Sequence, residues 1–97
     1  MTNAPTTRAE AEQLGDVVGQ IAFHVARSLC ETWPHLDLEQ LVGTFTRPVA
    51  TEGIARRYLA ALDAGCTTAQ AAGETGAALI HAWADARLAA AKAARTA

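Results

Sequence analysis

Lysine is nearly missing from this chain, which carries one lysine beside seven arginines, ten acidic residues and a formal net charge of −2. Without a basic excess there is no general field to hold a polyanion, so nucleic acid is not the expected partner unless a local patch supplies the charge. Aromatic residues make up only 5%. Apolar runs are a few residues long, far short of the roughly 20 that cross a bilayer, and residues 1–7 lack the apolar stretch of a secretory leader. No membrane association and a cytoplasmic location are therefore the expectation. Cys30 and Cys66 stand 36 positions apart without CxxC spacing, which favours reduced thiols, with a single disulfide as the open alternative. No run matches a catalytic, phosphate or metal signature, so neither cofactor nor metal is expected and the chain reads more as a non-enzyme than as an enzyme.

What the chain has in quantity is alanine, 24 of 97 residues, within a 51% hydrophobic composition. Such a chain can bury enough apolar surface to fold, and its length suits one small domain. Helix starts are marked by side chains that accept from the first free amides, with a polar partner three residues on: Thr7 with Glu10, Asp37 with Gln40, and Thr67 with Gln70. Leu36 and Leu41 flank the second of these as a hydrophobic staple. Pro48 suits a first helical turn, and Gly65 a helix stop. These signals predict a disordered segment over 1–6 and one all-α bundle over 7–95, with helices at about 7–32, 37–45, 48–64 and 67–95. Three are long and one short. The short links make consecutive helices antiparallel neighbours.

At about 100° per residue, Leu14, Val17, Val18, Ile21, Val25 and Leu29 form a bulky stripe on the first helix. Beside it runs a stripe of small residues, Gly15, Gly19, Ala22, Ala26 and Cys30. A surface helix carries one apolar stripe, so this helix is expected to be central or covered by a second subunit. Gly15, Gly19, Ala22 and Ala26 are thus candidate partner contacts in a homodimer or larger assembly. On the third helix Thr51, Ile54, Tyr58 and Leu62 share the inward face, and Glu52 with Arg56 makes a surface pair. The last helix has few large apolar anchors, Leu79, Ile80, Trp83 and Leu88, and its end is expected to fray or run on in solvent.

Arg87 projects close to Ile80 and one turn beyond Trp83, inside the apolar half of its helix. A guanidinium there must pair with a carboxylate, stack on the indole or sit at an interface, and Trp and Arg are enriched at binding hot spots. Trp83 and Arg87 are therefore the leading candidates for contact with a partner or ligand. His81 and Asp85, one turn apart, form a candidate polar site that supplies two metal ligands at most, fewer than a tetrahedral zinc requires. Cys66, in a turn at the start of a helix, is placed where amide dipoles favour a thiolate. Cys30 reads as an inert thiol and His35 as a turn residue.

The run Gly65-Cys66-Thr67-Thr68-Ala69-Gln70-Ala71-Ala72-Gly73-Glu74-Thr75-Gly76 resembles a helix-turn-helix in its Thr cap, its small residue at Ala72 and a turn glycine at Gly76. The resemblance implies a small DNA-binding regulator using residues 67–92. It departs from the motif at Asp85, which falls on an inward position, and offers only His81 and Arg87 as groove-facing donors. The residues favour a different reading: a non-catalytic assembly or adaptor module acting through helix-to-helix contact, partnered by itself and by a further protein. A small-molecule binder or enzyme would need His81, Asp85, Trp83 and Arg87 around one cavity.

Overall fold

A computed structural model of the chain describes residues 8–96, without the side chain of Thr96. Four helices follow one another: α1 (Arg8–Thr32), α2 (Leu38–Phe45), α3 (Pro48–Asp63) and α4 (Thr68–Thr96), with no strand among the described residues. The fold is an all-α bundle. The expected segment 1–6 and the Thr7 cap lie outside the described residues.

The local signals act through identifiable bonds. The Asp37 carboxylate accepts from the amides of Glu39 at 2.9 Å and Gln40 at 3.4 Å, which starts α2. At α4 the capping is reciprocal: the Gln70 amide donates to Thr67 Oγ1 at 3.1 Å, and the Thr67 amide donates to Gln70 Oε1 at 2.9 Å. Pro48 occupies the first turn of α3, where its missing N–H leaves no bond unmade. The end of α3 is a Schellman turn: Cys66 N–H bonds Ala61 O at 3.1 Å and Gly65 N–H bonds Leu62 O at 3.0 Å. It requires the left-handed backbone that Gly65 adopts at φ 101°.

Packing centres on α1, which supplies Val18, Ile21, Ala22, Val25, Ala26 and Leu29 to the core and meets each of the other three helices. Leu41 and Phe45 of α2, Ile54 and Tyr58 of α3, and Ala71 of α4 complete it. The centrality of α1 thus needs no second subunit. It also corrects the expectation for the small stripe, because Ala22 and Ala26 are 0% exposed within the single chain and cannot face a partner. Gly76 of α4 is buried beside Val25, where an added Cβ would make an ordinary contact at 3.7 Å. Gly15 is exposed and Gly19 half-buried, each with nothing within 4 Å of an added Cβ.

α4 runs through Gly73 and Gly76 without a break. Its first half packs against α1 and α3, and residues 85–95 are all exposed. Leu88, expected as an anchor, is 67% exposed. This unpacked stretch stays helical because alanine has the highest helix propensity, and Arg95 in its last turn complements the helix dipole.

Candidate functional site

The site is built from the α1–α2 link and the outer half of α4. Trp33 N–H bonds Leu29 O at 2.8 Å, closing α1, and Leu36 N–H bonds Trp33 O at 3.0 Å, folding Trp33-Pro34-His35-Leu36 into a β-turn. Pro34 sits at the second position of that turn, where its fixed φ belongs. The Cys30 thiol donates to Leu36 O at 3.7 Å and ties the turn back to α1. A short rigid turn therefore holds two ring side chains in fixed directions.

Both rings meet α4. The Trp33 and Trp83 indoles lie 5.2 Å apart between centroids at an interplanar angle of 52°, a tilted pair within the favourable range. Arg87, one turn after Trp83, places its Cζ 5.1 Å from the Trp83 ring centre, a cation–π contact. Arg87 Nη2 also donates to His35 Nε2 at 3.1 Å. A guanidinium has no acceptor, so the direction of this bond is fixed. Trp83 is half-buried and Arg87 exposed, and Arg87 makes no ion pair among the described residues.

Of the sequence candidates, then, Trp83 and Arg87 come together as stacking demanded. Trp33 and His35 complete the cluster, and sequence does not disclose them, since nothing local says which helix a turn will touch. His81 and Asp85 are exposed and stay outside it. Asp85 projects about 160° around α4 from Arg87. Among the described residues no three His, Cys, Asp or Glu side chains gather as metal ligands.

Cys66 faces a carboxylate from α4. Its half-buried thiol donates to Glu74 Oε2 at 3.7 Å. Burial pushes the thiol up from its ordinary value, and the Glu74 charge and hydrogen bond push the same way. Desolvation and the carboxylate act in the same direction, and both favour the thiol form. Cys30 and Cys66 are both free.

Two grooves flank α1. One, of about 410 Å³, lies among Leu14, Val17, Tyr58, Leu59 and Leu62; the other, of about 290 Å³, lies between Ile21 and His24 of α1 and Ala72 and Gly73 of α4. Neither takes in His81, Trp83, Asp85 or Arg87, so neither is the cavity that an enzyme reading places around those four. The turn that the helix-turn-helix resemblance requires at Gly76 is likewise absent, because that glycine is buried against Val25 within continuous α4. No helix among the described residues is long and apolar enough to cross a membrane. Comparison with protein-family models, curated proteins and solved structures finds no match for this chain.

Proposed function

We propose that the chain is a non-catalytic assembly or adaptor module working through helix-to-helix contact, with the Trp83 and Arg87 corner as its contact surface and a second copy of itself as the partner. The observation that carries this reading is an exposed guanidinium laid on a half-buried indole with no carboxylate paired to it among the described residues. Arginine and tryptophan are prominent at interface hot spots, and an arginine without its own counter-ion is ready to accept one from outside. Leu88 adds exposed apolar surface at the same end of α4. The reading takes consecutive helices as antiparallel and the location as cytoplasmic, in keeping with two free thiols. Gly15 and Gly19 remain as a secondary contact region.

Light scattering on the purified protein across a dilution series tests this directly. A dimer or larger assembly is expected, with monomers in Arg87→Glu and Leu88→Asp whose circular dichroism is unchanged. A monomeric wild type at every concentration would refute self-association. An assembly that survives both substitutions would remove the corner as its surface.

A further inference from the structure

The contact between Arg87 and His35 is possible in one protonation state only. A guanidinium donates and never accepts, so the 3.1 Å approach of Nη2 to Nε2 is a hydrogen bond only while Nε2 carries no proton. The form that satisfies this condition is the neutral ring with its hydrogen on Nδ1. A second proton turns Nε2 into a donor, and two cations stand at hydrogen-bond distance with no lone pair between them. Imidazole is the side chain whose charge ordinarily changes between pH 5 and 8.

We propose that protonation of His35 opens this corner of the molecule, releasing Arg87 from the Trp33–Leu36 turn and uncovering the Trp83 indole beneath it. The surrounding charges do not prevent this. From α4, Arg87 is the group that bonds His35, while Asp85 projects about 160° away around the helix. From α1, Glu31 is paired with Arg27 at 3.6 Å. From the start of α2, Asp37 accepts the amides of Glu39 and Gln40. No carboxylate among the described residues pairs with Arg87, so no ion pair holds the guanidinium in place when the imidazole charges. The bond spans 52 positions of sequence and joins the α1–α2 link to α4, two parts held together here otherwise by the tilted indole pair. Losing the polar half of this bridge frees the guanidinium while the hydrophobic half stays.

The consequence for association rests on the corner being the contact surface proposed above, whereas the opening belongs to the lone chain. Nitrogen-15 NMR of the full chain from pH 8 to pH 5 follows the indole N–H signals of Trp33 and Trp83, the Arg87 Nε–H and the imidazole rings. The Trp83 and Arg87 signals are expected to move together, with the midpoint of the His35 ring. His35→Gln retains an acceptor that cannot charge, so the movement is expected to be lost in it, and retained in His24→Gln and His81→Gln. Signals that stay still while His35 titrates would overturn the proposal, as would a movement that persists in His35→Gln. Arg87→Gln gives an independent check, because removing one cation should abolish the displacement of Trp83. Light scattering at the two pH extremes separates the two claims. A corner that opens with no change in association leaves the switch standing and refutes the contact surface; association that changes while Trp83 stays still does the reverse.

Discussion

Thr75→Val is expected to stabilise this protein. Thr75 is 0% exposed, in the middle of α4, and its hydroxyl has no hydrogen-bond partner. Other helical threonines here avoid that state: Thr44 Oγ1 donates to Gln40 O at 2.9 Å and Thr32 Oγ1 to Ser28 O at 3.3 Å, each four residues back. A buried hydroxyl left unpaired costs about 1–3 kcal/mol of desolvation. Valine replaces it with a methyl of nearly the same shape, and the two residues have similar helix propensity. The low end of that range, about 1 kcal/mol, is the expected gain, equivalent to a rise of about 4–8 °C in Tm for a domain of this size. Urea unfolding followed by circular dichroism should show a higher midpoint at unchanged slope, the mark of a change in stability alone. Thr75→Ala separates the hydroxyl from the packing, since it also deletes a buried methyl and should lose most of the gain. A valine variant no more stable than the wild type would mean that the hydroxyl is paired, most simply to Ala71 O, and would refute the reasoning.

Gly65→Ala should destabilise by about 1 kcal/mol, because the turn that ends α3 holds Gly65 at φ 101° and a Cβ there is strained even though the surrounding space is open; urea unfolding with an unchanged midpoint would refute this. Glu74→Gln should speed alkylation of Cys66 by iodoacetamide at pH 7. The carboxylate raises the thiol pKa, so removing its charge lowers that pKa and enlarges the thiolate fraction at neutral pH, and an unchanged or slower rate would contradict the sign.

The helix boundaries were legible because the signals that set them are local. Thr67 with Gln70 and Asp37 act within four residues of themselves, so their amide bonds form in the structure, and Pro48 starts α3 without needing one. The inward face of α3 was legible for the same reason, with Ile54 at 1% and Tyr58 at 6% exposure. Periodicity gives the direction of a side chain around its helix, but not what stands opposite. Ala22 and Ala26 look identical whether a neighbouring helix or a second subunit covers them, and here the chain covers them itself. Leu88 sits outward because the bundle ends before it, which depends on where α1 and the α1–α2 link stop.

The corner at Trp83 shows the same division within one site. Arg87 on an apolar face had few ways to be satisfied, and stacking on the residue one turn earlier was one of the three that spacing left open. Its second partner, His35, lies 52 residues away and becomes available only because Pro34 fixes a turn at the end of α1. A local pattern thus predicted that the cation would be held, and tertiary structure chose an imidazole over a carboxylate as the second holder. That choice gives the site its character. A carboxylate would hold Arg87 throughout the neutral range, whereas an imidazole holds it only while uncharged, which makes the same contact dependent on pH.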